Sequence, residues 1–143
     1  LSAGYGGKSG GKGSGAMIYG IGIDVIQPHR VARLLEKYGE RFVQRVLTPQ
    51  ELPRYEKAKQ HQHVLFLANR FAAKEAFSKA MGTGFRYPVT LQCISVVQNS
   101  AGKPGLAFNE PLAELVRSRG INGHHLTISD ESNLACACVV LET

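Results

Sequence analysis

The stretch HVLFLANRFAAKEAFSKAM, at residues 63–81, is the longest continuous apolar pattern in the sequence. Apolar residues occur nearly all the way round a helical projection of it, and Gly82 follows at once, so it predicts one long helix ending near residue 81. A helix that is apolar on all sides is expected to be buried. Four charged side chains interrupt this one: Arg70, Lys74, Glu75 and Lys79. We therefore expect it to form one wall of a polar site.

Shorter elements surround this helix. Before it we expect a strand at 18–26 and helices at about 28–38 and 40–47, then a third helix that starts from the capping-box pattern at Thr48–Glu51 and ends near Lys59. After it we expect a strand hairpin at 91–99 and 104–109, a helix at 111–120, and a strand pair at 125–130 and 134–142. This order predicts an α+β domain with a small, mostly antiparallel sheet and helices packed on it.

The N-terminal segment differs from the rest of the chain. Residues 1–16 are rich in Gly and Ser and lack an apolar core, which is typical of a flexible tag or linker rather than a signal peptide. We expect a single domain over 17–143 that starts at Met17. No apolar run approaches the ~18 residues needed to span a bilayer, so we expect a cytoplasmic protein with no membrane partner.

The three cysteines favour neither a disulfide nor a zinc site. Cys136 and Cys138 lie two residues apart on an expected strand, where disulfide geometry is poor. No CxxC pair accompanies them or Cys93. We expect three free cysteines that act as small buried apolar side chains.

The formal net charge of +6 is unevenly distributed. Without residues 1–16 it is +4, with +5 in residues 17–80 and −1 in residues 81–143. A basic excess in one half of the chain suggests a surface for an acidic partner, either nucleic acid or an acidic protein. An ordinary solvated helical surface explains the same charges. The basic side chains at 30–41 are Arg30, Arg33, Lys37 and Arg41, interleaved with Glu36 and Glu40.

Two acidic residues stand beside apolar runs. Asp24, at the end of the first strand, either caps the following helix or acts as a ligand for a hard metal ion. Glu75 needs a cation, because burial of an unpaired carboxylate is costly. That cation is either Lys79, four residues on, or a divalent ion beside phosphates held by Lys79 and Arg70. Two carboxylates with nearby Lys and Arg fit a magnesium–phosphate site.

Glycines and histidines leave further alternatives open. Gly82-Thr-Gly84 is either a plain helix end or a turn through which backbone amides approach a phosphate. We expect His29, His61 and His63 to be solvated. His124 and His125, before the strand at 126–129, either contact a ligand or are partly buried structural residues.

Three segments together resemble the holo-[acyl-carrier-protein] synthases, the small bacterial 4′-phosphopantetheinyl transferases. The first is Gly-Ile-Asp24-Val-Ile-x-x-x-Arg30, and the second runs from Arg70-Phe-Ala-Ala-Lys74-Glu75 to Gly84. The third is His125-Leu-Thr-Ile-Ser-Asp130-Glu, followed by Ala135-Cys-Ala-Cys. The resemblance extends over 17–143, in order and at similar spacing.

This resemblance implies a function and a site. The family transfers 4′-phosphopantetheine from coenzyme A to a serine of apo acyl carrier protein, releases adenosine 3′,5′-bisphosphate and supports fatty acid biosynthesis. It implies that Asp24 and Glu75 bind Mg²⁺ and that both act in catalysis with Lys79. The coenzyme contacts would be Arg70, Ser78, Lys79, Gly82, His125 and Thr127. Arg30, Arg33 and Lys37 would dock the acidic carrier protein.

The resemblance also implies a homotrimer with active sites at subunit boundaries, which offers an explanation for charges on a helix that is apolar on all sides. Two positions depart from the family. Asp130 stands where many relatives have histidine, and no role is transferred to it; Leu134 occupies a position that is often aromatic. The alternative to an enzyme is a non-catalytic basic module for an acidic partner such as RNA. Glu36, Glu40 and the lack of interleaved aromatic residues argue against nucleic acid.

Overall fold

A computed structural model describes residues 15–143, so the Gly/Ser-rich segment predicted at 1–16 lies almost wholly outside the described residues. The predicted order of strands and helices is confirmed. The elements are β1 (Ile18–Ile26), α1 (Pro28–Tyr38), α2 (Glu40–Val46), α3 (Leu52–Lys57), α4 (His63–Met81), β2 (Ile94–Gln98), β3 (Pro104–Phe108), α5 (Leu112–Ser118), β4 (Gly123–Glu131) and β5 (Leu134–Glu142). Short 3₁₀ turns cover Gln60–Gln62 and Leu91–Cys93.

The strands form two antiparallel sheets. The larger has the order β1-β5-β4, and β2 pairs with β3 in a separate hairpin. The α+β class is confirmed, but the expectation of one sheet was wrong. Hairpin signals predict which neighbouring strands pair, whereas joining the hairpins depends on tertiary packing. In the larger sheet, Asp24 lies opposite Ala137 and Thr127 lies opposite Cys138.

Helix α4 lies at the centre of the fold, and eleven of its nineteen residues are buried. It packs on β1 and β5 at very close range. A Cβ atom on Gly22 would lie 1.8 Å from the carbonyl oxygen of Ala76, and one on Gly20 would lie 2.0 Å from that of Ala80. The expected burial of α4 is confirmed. It is reached within one chain, so a subunit interface is not needed to explain the apolar surface of this helix.

Helix α1 buries less of its apolar stripe than the sequence predicts. Helical spacing puts four apolar side chains on this stripe: Val31, Leu34, Leu35 and Tyr38. Val31 is buried and Leu35 is half-buried, but Leu34 and Tyr38 are 41% and 47% exposed. Because α1 packs on α4 through one narrow stripe, half of the predicted apolar face remains in solvent.

The predicted capping box is half formed. The Glu51 carboxylate accepts a hydrogen bond from the Thr48 backbone N–H at 2.9 Å, as such a box requires. The Thr48 hydroxyl instead pairs with the Ser95 hydroxyl at 2.7 Å, and α3 begins only at Leu52. The box thus connects two distant parts of the chain.

The predictions for the cysteines and histidines need correction. All three cysteines are free, as expected, but they are half-buried, since Cys136 and Cys138 face away from the core on β5. His63 is not solvated and stacks on Tyr55 with 4.0 Å between ring centroids. His124 lies within β4, as does its neighbour His125, rather than before the strand. Within residues 15–143, no helix has the length and apolar character needed to cross a membrane.

Candidate active site

Four of the predicted site residues meet in one cavity of about 330 Å³. Asp24 on β1 and Glu75 and Lys79 on α4 line it, together with Arg30 from α1. Asp24 follows Gly20 and Gly22 at intervals of two along the strand, so it shares their side of β1, which faces α4. Because the glycines allow this close approach, the aspartate reaches the helix. The cavity therefore lies between the C-terminal end of β1 and the C-terminal half of α4.

An ion pair connects the strand to the helix within this cavity. The Lys79 Nζ atom lies 3.2 Å from Asp24 Oδ1 and donates a hydrogen bond to the Ile23 carbonyl oxygen at 3.0 Å. Of the alternatives that the sequence left open, the Glu75–Lys79 bridge is thus replaced by a bridge between Lys79 and Asp24. Helix α1 has Gln27 at its N-cap, with no side-chain cap, so Asp24 does not cap it.

Of the carboxylates of Asp24 and Glu75, that of Asp24 is paired with Lys79, whereas burial and Asp24 disfavour the charge of Glu75. Its partial burial raises its pKa, the negative charge of Asp24 raises it further, and Lys79 lowers it. Two carboxylates that repel each other across a cavity are suited to a shared cation. The described residues include no group of three or more His, Cys, Asp or Glu side chains that could hold a metal ion. Mg²⁺ commonly takes one or two carboxylates and completes its shell with water and phosphate oxygens, so this donor set fits it.

Arg70 lies on a different side of α4, in a second cavity of about 460 Å³. Arg54 and Lys57 of α3, Phe66 of α4 and Gln98 of β2 share this lining. The Arg70 guanidinium carbon lies 3.5 Å from the centroid of the Phe66 ring. Its Nε atom is buried with no hydrogen-bond partner among residues 15–143. Burial lowers the pKa of Arg70 to about 10, so the group is charged at neutral pH.

Sequence reasoning missed Arg54 and Lys57 because nothing local connects them to Arg70. The two side chains lie three residues apart on α3, a spacing that would suit any solvated helix face. Their proximity to Arg70 becomes visible only in the fold, where α3 lies beside α4. With Arg70, they form a basic pocket (Arg54, Lys57 and Arg70) that is suited to an anion.

Ser78 and Gly82 follow along α4. Ser78 is buried, and its hydroxyl donates a hydrogen bond to the Glu75 carbonyl oxygen at 2.7 Å. Gly82 ends the helix with φ of 77°, and the Thr83 and Gly84 amides donate to the Ser78 carbonyl oxygen. The glycine-rich turn therefore ends the helix, and the approach of its backbone amides to a phosphate stays a prediction. Gly82 also borders a cavity of about 450 Å³ shared with Arg86 and Arg119. The coenzyme contacts at Ser78 and Gly82 stay predictions.

His125 and Thr127 lie on the face of the larger sheet that points away from α4. Both are exposed and alternate with Leu126 and Ile128, which face the core. The His125 Nε2 atom lies 2.9 Å from Glu142 Oε2. In a single chain these two residues do not meet the residues around Glu75. Asp130, further along β4, accepts a hydrogen bond from Asn69 at 2.7 Å.

The predicted docking residues are exposed on α1, next to a groove. Arg30, Arg33 and Lys37 all face solvent. Beside them lies a groove of about 340 Å³, and it shares two of its residues with the cavity around Glu75. The groove consists of Leu34, Tyr38, Arg41, Phe42 and Arg45. It combines apolar side chains with basic ones. The sequence does not predict this groove, because helical spacing puts Leu34 and Tyr38 on the apolar stripe of α1.

Comparison with known proteins gives a consistent family. The model of the 4′-phosphopantetheinyl transferase superfamily matches residues 20–139. A holo-[acyl-carrier-protein] synthase of Nitrosospira multiformis is 57% identical over 126 residues, which are 88% of this chain and 99% of the relative. The corresponding protein of Nitrosomonas eutropha is 53% identical over 126 residues, with the same coverage of both chains.

Solved structures agree. The crystal structure of holo-[acyl-carrier-protein] synthase from Neisseria meningitidis has a TM-score of 0.85 and 42% identity, covering 89% of this chain and all of the other. The enzyme from Bacillus anthracis, solved in complex with CoA (3′,5′-ADP), has a TM-score of 0.75 and 38% identity, covering 89% and 98%. The chain therefore belongs to the 4′-phosphopantetheinyl transferase superfamily, as an enzyme of the holo-[acyl-carrier-protein] synthase family.

Proposed function

We propose that this protein transfers 4′-phosphopantetheine from coenzyme A to a serine hydroxyl of apo acyl carrier protein, with Mg²⁺, and releases adenosine 3′,5′-bisphosphate. Such a reaction would support fatty acid biosynthesis. One observation carries the proposal: Asp24, Glu75 and Lys79 line a single cavity that opens beside the basic helix α1. The complex of the Bacillus anthracis relative with CoA (3′,5′-ADP) supports coenzyme A as the donor.

The cavity offers what phosphoryl transfer needs, namely positioning and charge neutralisation. Asp24 and Glu75 would hold Mg²⁺, which when bound neutralises the charge of the coenzyme pyrophosphate. The side chain of Lys79 is 52% exposed and remains beside Asp24, so its ammonium group can reach a phosphate oxygen that enters the cavity. Lys79 would then stabilise the charge that develops on the leaving bisphosphate.

The basic pocket would take another phosphate of the same coenzyme. Coenzyme A carries a 3′-phosphate in addition to its pyrophosphate, and the Nε–H donor of Arg70 has no partner in the described part of the chain. Arg54 and Lys57 add two exposed cations at its rim. Guanidinium groups bind phosphate oxygens through strong, charge-assisted hydrogen bonds. Ser78 and Gly82 are retained as proposed coenzyme contacts.

A second and a third copy of this chain would complete the site. Ile21, Ile23 and Val25 are 59%, 57% and 54% exposed and cover the outer face of β1 beside Cys138 and its neighbours on β5. Such a contiguous apolar face is typical of an interface. His125 and Thr127 lie on this same face, so a neighbouring copy packed there would receive them at its own cavity. We propose a homotrimer with active sites at its subunit boundaries.

The carrier protein would dock on α1 and its groove. Arg30, Arg33 and Lys37 give the surface a positive charge, while the exposed Leu34 and Tyr38 offer apolar contact. An acidic partner with an apolar patch complements both features. Because the groove continues into the cavity around Glu75, a docked carrier can present its serine there.

Mass spectrometry of the carrier tests the proposed function. The protein is incubated with coenzyme A, Mg²⁺ and apo acyl carrier protein, and the intact carrier is weighed. We expect the mass of one phosphopantetheine group on the carrier, and none when Mg²⁺ is chelated or when the acceptor serine is replaced by alanine. A carrier that gains no mass at any Mg²⁺ or coenzyme concentration would refute the proposal.

A further inference from the structure

One pair of opposite charges is completely buried outside the candidate active site. Lys74 of α4 and Glu51, just before α3, place Nζ and Oε1 2.7 Å apart, and their side chains are 0% and 1% exposed. Removing two charges from water costs several kcal/mol, and their mutual attraction compensates only when further hydrogen bonds satisfy both groups. The proposed function uses neither residue directly.

Every donor of Lys74 and both oxygens of Glu51 are satisfied. Lys74 Nζ also donates to the carbonyl oxygens of Val46 at 2.6 Å and Leu91 at 3.0 Å, which occupies its three N–H groups. Glu51 Oε1 accepts the Thr48 N–H at 2.9 Å, and Oε2 accepts the Val96 N–H at 3.0 Å. The pair therefore joins the end of α2, the start of α3, the middle of α4 and the strand β2.

The same elements form the walls of the basic pocket. Helix α3 supplies Arg54 and Lys57, α4 supplies Arg70 one turn before Lys74, and β2 supplies Gln98 two residues after Val96. Arg54 also donates a hydrogen bond to the Gln98 side chain. A shift of α3 relative to α4 would change the separation of the Arg54 and Arg70 guanidinium groups.

Charge adds a second reason for a lysine at position 74. Glu51 borders a cavity that it shares with Arg54 and Arg70. An unpaired carboxylate there would repel a phosphate, whereas Lys74 neutralises it from the buried side. An apolar residue at position 74 would leave the Glu51 charge facing the anion.

We propose that the Glu51–Lys74 pair is a positioning unit for phosphate binding. It holds α3, α4 and β2 at the separation at which Arg54, Lys57 and Arg70 bind one phosphate of the coenzyme together. This inference rests on the proposed assignment of the basic pocket to the coenzyme. Neither residue is catalytic, since both act through the arginines.

Isothermal titration with adenosine 3′,5′-bisphosphate tests the proposal on the full chain. In the double variant E51Q/K74M both charges are removed at similar volume, while the carbonyl oxygens of Val46 and Leu91 lose their donor. We expect a lower melting temperature, because buried backbone groups lose their partners, but a protein that is still folded at 25 °C and has a Kd raised roughly tenfold. The KM for coenzyme A should rise as well, while kcat and the KM for the carrier stay within about twofold.

Arg70→Gln provides the reference variant and closes a double-mutant cycle. It should weaken binding by itself, and E51Q/K74M should add little in its background, because both changes act on the same contact. Two results overturn the positioning role without affecting the assignment of the basic pocket. One is an unchanged Kd in folded E51Q/K74M. The other is full additivity of the binding free-energy changes of E51Q/K74M and Arg70→Gln. An unchanged Kd in Arg70→Gln overturns both.

A milder variant decides the case if E51Q/K74M does not fold. E51D keeps both charges but shortens the side chain that reaches Lys74 at 2.7 Å and the Val96 N–H at 3.0 Å, so it loosens the pair itself. We expect a threefold to fivefold weaker Kd, on the order of 1 kcal/mol or less. Binding equal to that of the unmodified protein overturns the proposal.

Discussion

Asp24 and Lys79 join the end of β1 to α4 through an ion pair of 3.2 Å between Oδ1 and Nζ. The lysine side chain is half exposed, so the pair contributes at most about 1 kcal/mol to stability. Its importance is geometric, because it holds a cation and a carboxylate at the mouth of the cavity that Glu75 also lines. Both groups are thus arranged before any ligand enters.

Replacement of Gly22 by alanine should separate the strand from the helix. The new Cβ would lie 1.8 Å from a backbone oxygen of α4, which cannot move without shifting the helix. We expect a loss of stability of about 1–3 kcal/mol. We also expect the transfer rate to fall by a larger factor than the folded fraction does. Urea denaturation gives the folded fraction, and a turnover assay on the same sample gives the rate. Gly15→Ala is the control, since a Cβ there would meet no atom of residues 17–143 within 4 Å. A Gly22→Ala variant with normal stability and turnover would contradict the close packing.

Glu75→Gln should stabilise the metal-free protein. Burial and Asp24 raise the pKa of Glu75, so the folded state holds its proton more tightly than the unfolded state does. The stability of the unmodified protein therefore falls as pH rises from the usual glutamate range through the raised pKa of Glu75. We expect Glu75→Gln to lack this fall and to melt at a higher temperature at pH 7 in a chelator. Equal melting curves for both proteins across pH 4–8 would contradict the electrostatic account.

Much of this site could be predicted from the sequence because its residues are charged side chains within apolar segments. Glu75 stood out as a carboxylate on an apolar helix, and Asp24 as an aspartate at the end of an apolar strand. Leu34 and Tyr38 were misplaced because helical spacing shows which residues share a face, while the neighbouring elements determine how much of that face is covered.

The basic pocket depends on contacts that no sequence window contains. Arg54 and Arg70 are sixteen residues apart, and Glu51 meets Lys74 across twenty-three residues. The face of the sheet on which His125 lies follows from the register of β4 on β5, in which His125 pairs with Val140. A shift of one residue would turn His125 toward the core.

Two inactive variants should restore activity when they are mixed, if subunits share their sites. Glu75→Gln removes the carboxylate from one side of a boundary, and His125→Ala removes the imidazole from the other. After unfolding and refolding as an equal mixture, about a quarter of the boundaries should carry both intact residues. Turnover should therefore exceed that of either variant refolded alone. Absent recovery in a mixed trimer, verified by native mass spectrometry, would contradict a site shared between subunits.

Reversal of charge on α1 should raise the KM for acyl carrier protein more than the KM for coenzyme A. Arg33 is exposed and lies outside the lining of the cavity around Glu75. We expect Arg33→Glu to raise the KM for acyl carrier protein about tenfold and to leave the KM for coenzyme A within twofold, since rim charges mainly steer association. Lys103→Glu, at the exposed turn between β2 and β3, is the matched charge reversal and should change neither constant. Equal effects of Arg33→Glu on both substrates would argue against a docking surface.

The turnover number of Glu75→Gln tests the central claim most directly. The substitution keeps the shape of the side chain but removes one of the two negative charges proposed to hold Mg²⁺. At saturating coenzyme A, carrier and Mg²⁺, the account predicts that kcat falls at least a hundredfold, a loss of about 2.7 kcal/mol in transition-state stabilisation. Circular dichroism should show that the fold is retained. A folded Glu75→Gln protein that transfers phosphopantetheine at the unmodified rate would contradict the assignment of Asp24, Glu75 and Lys79 as the active site.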